Sequence, residues 1–203
     1  MIMEKNVTFS QYLEGIGLYR DVMKIVRMQC DGGRVFLIGS VVYKTLSYVL
    51  HGSPKLEFKD FDVLCERRFP VERLIVPQGW SMQKTSLGEP RFVRGDGLVI
   101  DVVRLTESVS WSDRGRAMQM STVELLESYL RRAPLTVQSI AYDVDSRELF
   151  GQVGLRAIRT KKIGVNCFDE MVKYCSRHRP LTNGEFLNRK LEEMDYLYDP
   201  DTK

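Results

Sequence analysis

Three aspartates in apolar surroundings are the residues of this chain best suited to metal chemistry. Asp60 and Asp62 alternate with apolar residues, so in a strand their two carboxylates point to one face. Asp101 interrupts a second apolar run at 98–103. Converging carboxylates repel each other unless a cation is present, and Mg²⁺ or Mn²⁺ prefers such oxygen ligands. We therefore predict a metal site of Asp60, Asp62 and Asp101, with carboxyl groups about 4–6 Å apart.

A Gly-Ser turn precedes the paired acids. Gly39 and Ser40 follow an apolar strand at 35–38 and open an amphipathic helix at 41–50. Backbone N–H groups and a hydroxyl at a helix N-terminus suit a phosphate. Lys44, in the first turns of the same helix, is either a phosphate contact or an exposed lysine. A phosphate site beside paired carboxylates predicts a divalent metal that holds a nucleotide.

The hydrophobic pattern predicts an α+β (α/β-like) fold, a small mixed β-sheet with helices packed on it. Helices are expected at 8–30 (one or two, capped by Thr8 or Ser10), 41–50, 121 to 131 or 132, 154–160, 167–177 and 184–198. Strands are expected at 35–38, 60–65, 80–85, 90–94, 98–103, 135–142 and 148–150, with turns at 52–54 and 94–97 and a polar loop at 110–120. The expected organisation is a head domain at 1–163 and a helical appendage at 164–203.

Composition sets the broad class. With 203 residues, 43% hydrophobic and 28% charged, the chain fits one globular domain with a small appendage. It has no apolar run long enough to span a membrane and no signal-peptide pattern, so a cytoplasmic location is expected. The four cysteines form no C-x-x-C pair, which favours free thiols over a zinc site. The net charge of +3 permits nucleic acid as a partner without requiring it.

The order of these features resembles the nucleotidyltransferase superfamily that includes polymerase β, poly(A) polymerase and the CCA-adding tRNA nucleotidyltransferases. The pattern is carried by Ile38-Gly39-Ser40, Asp60-Phe61-Asp62-Val63 and Asp101. Within it, the stretch at about 34–160 is similar to the head domain of the CCA-adding enzymes and bacterial poly(A) polymerases. That closer similarity is carried by Arg131-Arg132, the Ala-Tyr-Asp at 141–143, the hairpin to 148–150 and the Ile-Arg at 158–159.

The resemblance implies a nucleotidyltransferase fold and a role for each matching residue. Asp60 and Asp62 would bind both metal ions, and Asp101 would assist the ion that activates the acceptor hydroxyl. Gly39 and Ser40 would hold the triphosphate. We predict Lys44 and Arg132 as further nucleotide-binding residues. The implied activity is metal-dependent, in-line transfer of a nucleoside monophosphate from an NTP to a hydroxyl of RNA or tRNA, a protein side chain or a small molecule.

Other interpretations stay open at this point. The chain is alternatively a catalytically silent member of the fold that binds nucleotide, RNA or a protein, or an α+β binding protein with a chance resemblance. The basic last third, which includes Arg156, Arg159, Arg189 and Lys190, is either a phosphate-contacting surface or a set of solvated helix faces. Tyr174 and Tyr142 either stack on a base or pack in the protein. The acceptor, the preferred NTP and the oligomeric state are not specified by the sequence.

Overall fold

The computed structural model describes residues 2–52, 56–85, 88–108, 119–177 and 181–202. The described α-helices are α1 Ile2–Gly15, α2 Gly17–Gln29, α3 Ser40–His51, α4 Thr122–Arg131, α5 Gln152–Thr160, α6 Phe168–Arg177 and α7 Asn183–Met194. The strands are β1 Val35–Ile38, β2 Asp60–Cys65, β3 Trp80–Lys84, β4 Pro90–Arg94, β5 Val99–Arg104, β6 Ala141–Asp143, β7 Glu148–Phe150, β8 Lys162–Ile163 and β9 Leu197–Tyr198. Short 3₁₀ helices occur at Val71–Arg73, Leu105–Glu107 and Thr136–Gln138.

Within this part of the chain, seven strands form one mixed sheet in the order β3-β4-β5-β2-β1-β6-β7. The central pair β2 and β5 is parallel, whereas every other neighbouring pair in the sheet is antiparallel. The predicted α+β fold, a mixed sheet with helices packed on it, is therefore confirmed. The strand that carries Asp60 and Asp62 lies directly beside the strand that carries Asp101.

Alternation along β2 divides its side chains between two hydrophobic clusters. Phe61 and Val63 belong to the larger cluster, which includes side chains of α1, α2 and α3. Leu64 points to the opposite face and belongs to a smaller cluster with side chains of α4. Asp62, two residues before Leu64, therefore shares the face that the smaller cluster covers, which leaves its carboxylate outside both apolar clusters.

The C-terminal helices pack on the same core as the sheet. Met171 of α6, Phe186 of α7 and Met194 at the end of α7 belong to the larger cluster. Strand β9 pairs in parallel with β8, which joins the chain's last described strand to residues 162–163. The domain boundary at 163/164 stays a prediction. No described helix combines the length and the apolar composition needed to cross a bilayer.

Three predicted elements are wrong in part. Helix α1 begins at Ile2, so Thr8 and Ser10 are not its caps, and the Ser10 hydroxyl instead lies 2.8 Å from the Tyr142 hydroxyl. The strand predicted at 135–142 is a 3₁₀ turn followed by the short β6, because the backbone of Thr136 donates to the Gly164 carbonyl at 2.9 Å and not to a strand of the sheet. The helix predicted at 184–198 ends at Met194, where Asp195 takes a left-handed φ of 55°. The turn at 52–54 and the loop at 110–120 lie largely outside the described residues.

Helix α4 begins with the capping box that the sequence predicts. The Ser121 hydroxyl accepts the backbone N–H of Glu124, and the Glu124 carboxylate accepts the Ser121 N–H. We expect Ser121→Ala to lower the free energy of unfolding by about 1 kcal/mol, because it leaves a helix N–H without its partner. Urea denaturation measures the change. Ser176→Ala, at an exposed serine of α6 that is not a cap, is the control and is expected to change stability by less than about 0.5 kcal/mol.

Candidate metal and nucleotide site

The three aspartates converge at the centre of the sheet. Asp62 lies directly opposite Asp101 in the parallel register of β2 and β5. Asp60 lies on the same face as Asp62, two residues earlier. One carboxylate oxygen from each of the three aspartates lies within 4.8 Å of the other two. The predicted separation of about 4–6 Å is met.

Burial and mutual repulsion raise the pKa values of Asp60 and Asp62. Burial first, and then the charges of Asp60 and Asp101, raise the pKa of Asp62 to about 7, although Arg91 acts in the opposite direction. Burial and the charge of Asp101 also raise the pKa of Asp60. The cluster therefore carries an electrostatic cost that a bound cation would relieve.

Gly39 lets the Asp62 carboxylate lie against the backbone at the start of α3. Its φ of 69° and ψ of −151° fall in a region that is essentially restricted to glycine. A Cβ atom at this position would lie 2.3 Å from Asp62 Oδ2. Ser40 follows as the first residue of α3, whose initial N–H groups have no intrahelical acceptor. The turn thus presents its donors next to the carboxylates, as the sequence predicts.

The carboxylates and the Gly-Ser turn open into a cavity of about 520 Å³. Its wall combines the start of α3, strands β2, β4 and β5, and residues of the two C-terminal helices. The lining residues are Gly39, Ser40, Tyr43, Lys44, Asp60, Asp62, Arg91, Asp101, Gln138, Tyr174, Leu181, Phe186, Arg189, Lys190 and Glu193. The rings of Tyr174 and Phe186 pack against each other with centroids 4.6 Å apart.

Lys44 lies in this cavity, where it forms an ion pair with Glu193 of α7. Glu193 also pairs with Lys190, whose ammonium group donates to the Tyr43 hydroxyl at 2.9 Å. Burial opposes ionisation of Glu193, but hydrogen bonds from Lys190 and Lys44 hold its pKa below the usual value. The sequence interpretation missed this network, because its two halves are about 150 residues apart.

Arg91 is the most consequential residue that the sequence interpretation missed. Its Nε donates to Asp101 Oδ1 at 2.8 Å and its Nη2 donates to Asp101 Oδ2 at 2.6 Å. A signal for it exists in the sequence, because a tight turn at 94–97 places Arg91 and Asp101 opposite each other across the β4–β5 hairpin.

Arg132 does not line the cavity. It follows the last residue of α4, and its guanidinium donates to Glu170 of α6 at 2.8 Å. Tyr142, the other aromatic considered for stacking, is buried in the core against Phe9. The structure thus brings together the six predicted residues Gly39, Ser40, Lys44, Asp60, Asp62 and Asp101, and leaves Arg132 outside.

The donor set fits a hard divalent cation. Asp60 and Asp62 accept no hydrogen bond and form no ion pair within the described part of the chain, so their oxygens are available as ligands. Carboxylate oxygens together with substrate phosphates are the usual ligands of Mg²⁺, and Mn²⁺ accepts the same set. The exposed side of Asp60 faces the cavity, which gives an ion a route to the site.

Comparison with solved structures places this architecture among known folds. No protein-family model matches the sequence, and no curated protein sequence matches it. The structure of a CCA-adding enzyme with CTP superposes on 98% of this chain with a TM-score of 0.60 and 14% sequence identity. The chain has the nucleotidyltransferase fold, as the sequence motifs predict.

Two further structures share this nucleotidyltransferase fold. A tRNA-processing enzyme with CTP matches 83% of the chain with a TM-score of 0.52 and 18% identity. The Thermotoga maritima CCA-adding enzyme complexed with tRNA matches 83% with a TM-score of 0.52 and 16% identity. The chain spans 43%, 41% and 35% of the three neighbouring chains, so it covers less than half of each.

Proposed function

We propose that this protein is a metal-dependent nucleotidyltransferase. It moves a nucleoside monophosphate from an NTP to a hydroxyl acceptor and releases pyrophosphate. The observation that carries the proposal is the convergence of Asp60, Asp62 and Asp101 within 4.8 Å, in a cavity that also contains the N-terminus of α3. Metal-bridging carboxylates beside a phosphate-binding turn are what phosphoryl-type transfer requires.

Asp60 and Asp62 would hold the Mg²⁺ or Mn²⁺ ions, and Asp101 is the third acidic group of the set. A divalent ion bound there would neutralise charge on the transferred phosphoryl group and lower the pKa of the acceptor hydroxyl. Asp101 would help to accept the proton of that hydroxyl, directly or through solvent.

The start of α3 would bind the triphosphate. The backbone N–H groups after Gly39 and the Ser40 hydroxyl are donors aimed at the cavity, and the helix dipole favours a negative charge there. Lys44, Lys190 and Arg189 add positive charge to the same wall. The paired rings of Tyr174 and Phe186 offer an apolar surface for the base.

An RNA hydroxyl is the acceptor that we propose. The neighbouring structures include a CCA-adding enzyme with CTP and one complexed with tRNA, which supports a nucleotide donor and an RNA acceptor. Arg156 and Arg159 are exposed on α5 and form no ion pair among the described residues, so they are available to RNA phosphates. A protein side chain or a small-molecule hydroxyl is the alternative class of acceptor.

The proposal is tested by label transfer. The purified protein is incubated with Mg²⁺, each of the four α-labelled NTPs in turn, and total RNA. We expect label to enter RNA with the wild type, and not with the double variant Asp60→Ala and Asp62→Ala or in EDTA. Asp21→Ala, at an exposed carboxylate of α2 outside the cavity, is the matched control. Transfer that survives in the double variant would refute the assigned site.

A second candidate, a catalytically silent nucleotide-binding protein, is favoured by the two ion pairs that occupy cavity residues. Arg91 holds Asp101, and Glu193 holds Lys44. Equilibrium dialysis with the same NTPs separates the two candidates. Nucleotide binding without transfer to RNA, protein or added alcohols would support the silent protein.

A further inference from the structure

The three carboxylates differ in the hydrogen bonds that their oxygens accept. Both oxygens of Asp101 accept hydrogen bonds from Arg91, at 2.8 and 2.6 Å. Asp60 and Asp62 accept none within the described part of the chain. The Arg91 guanidinium therefore occupies both oxygens of one proposed metal ligand, Asp101. The oxygens of the other two, Asp60 and Asp62, stay available.

The pairing of β4 with β5 explains why the Arg91 guanidinium lies beside Asp101. Arg91 and Asp101 are direct neighbours across the antiparallel β4–β5 pair, so their side chains leave the sheet on the same face. The planar fork of arginine matches both oxygens of a carboxylate. The pairing also places a positive charge beside three acidic groups, which offsets part of their repulsion.

The Arg91 side chain is able to leave this position. It is 39% exposed and lines the cavity, whereas the side chain of Asp101 is only 12% exposed. Hence Arg91 can turn toward solvent or a cavity ligand, and Asp101 then keeps its place facing Asp62. A long side chain that is partly in water is the more mobile partner of the pair.

We propose that Arg91 is a displaceable internal counterion that keeps Asp101 from binding metal in the free protein. A divalent ion then binds first to Asp60 and Asp62, and Asp101 becomes a ligand only after Arg91 leaves it. Arg91 is thus a positioning residue that sets the metal affinity of the site. This inference rests on the proposed function, because it takes the three aspartates to be a metal site.

The test measures Mn²⁺ binding to the full chain by isothermal titration calorimetry, without nucleotide. We expect Arg91→Gln to lower the dissociation constant for Mn²⁺ by about 10- to 100-fold, the worth of a charged hydrogen-bonded pair that no longer competes. Arg94→Gln is the matched control and is expected to change nothing. Arg94 lies on the same strand and makes an equivalent two-point pair with Asp96, outside the cavity.

Arg91→Lys separates displacement of Arg91 from a general change of charge, and a double variant tests whether Asp101 is the ligand that is released. Arg91→Lys keeps the charge but loses the fork, so we expect an intermediate gain in Mn²⁺ affinity. Adding Asp101→Asn to Arg91→Gln should return the affinity toward the wild-type value, because the released ligand is gone. Circular dichroism spectra confirm that each variant is folded before titration.

The Mn²⁺ titrations test the role of Arg91 and the proposed metal site separately. An unchanged or weaker Mn²⁺ affinity in Arg91→Gln would overturn the role of Arg91. A gain that persists in the double variant with Asp101→Asn would also overturn it, because the gain would then owe nothing to Asp101. The proposed function fails separately, if Asp60→Asn with Asp62→Asn binds Mn²⁺ as tightly as the wild type.

Discussion

Replacing Asp62 with asparagine is expected to raise the free energy of unfolding of the metal-free protein by about 2–4 kcal/mol at pH 8, and to abolish the nucleotidyl transfer that we propose. The stability gain follows from the pKa of Asp62, which burial and the neighbouring carboxylates raise from 3.8 to about 7. Each tenfold change in proton affinity is worth about 1.4 kcal/mol. The amide is neutral at every pH, so it removes the cost of ionising Asp62 in the folded state.

The raised pKa of Asp62 determines the pH range over which stability changes. Between about pH 4 and pH 7 the folded protein holds a proton on Asp62 that the unfolded chain has lost, so the stability falls as the pH rises. Among the neighbouring charges, those of Asp60 and Asp101 strengthen the effect and that of Arg91 weakens it. The gain from Asp62→Asn should therefore be small at pH 4 and complete at about pH 8.

Urea denaturation in EDTA at pH 4 and pH 8 measures this gain, with Asp21→Asn as the surface control. A stability that falls at pH 8 in Asp62→Asn would contradict the assigned repulsion. In Mg²⁺, the wild type should gain stability because the ion binds only the folded state, and the variant should gain less. A variant that loses transfer but gains stability is expected where a functional site keeps like charges close together at a cost in stability.

Replacing Gly39 with alanine is expected to lower the free energy of unfolding by about 3 kcal/mol and to reduce transfer at least tenfold. The backbone of Gly39, with φ 69° and ψ −151°, costs a non-glycine residue about 1–3 kcal/mol. The added Cβ would also lie 2.3 Å from Asp62 Oδ2. The carboxylate must therefore move away from the turn that is proposed to hold the triphosphate.

Gly52→Ala is the matched control for Gly39→Ala. Gly52 lies at the other end of α3 with a φ of 74°, and an added Cβ there has no atom within 4 Å. It should lose only the cost of the positive φ, about 1–2 kcal/mol, and keep the transfer activity. A double-mutant cycle of Gly39→Ala with Asp62→Ala isolates the contact, since Gly39→Ala should cost less stability once the Asp62 carboxylate has been removed. The same cost of Gly39→Ala in both backgrounds would show that the contact contributes nothing.

Much of the site was predictable from short stretches of sequence. The alternation of Asp60 and Asp62 with apolar residues, and the Gly39-Ser40 turn between a strand and a helix, depend on neighbours within a few residues. The structure confirms β1, α3 and β2 where the sequence places them. The order of these motifs was also sufficient to indicate the fold.

The structure leaves one predicted residue outside the cavity, and the sequence interpretation missed others inside it. Arg132 matches a basic segment of the head domains that the sequence resembles, yet its guanidinium pairs with Glu170 of α6. Arg91 was overlooked because a single charged residue in a strand does not indicate a function. Its partner, Asp101, is identified only by the pairing of β4 with β5. The strand predicted at 135–142 is wrong except at 141–142, because the Thr136 N–H donates to the Gly164 carbonyl and not to a strand of the sheet.

The amino-acid sequence by itself determined the Gly39-Ser40 turn, the paired acids Asp60 and Asp62, and the strand that contains Asp101. Only the three-dimensional structure decided that β5 pairs with β2 in the register that sets Asp101 beside Asp62. It also decided that α7 brings Lys190 and Glu193 to Tyr43 and Lys44. The reason is that local conformation depends on neighbouring residues, whereas the pairing of distant segments is selected by burial of apolar surface over the whole fold.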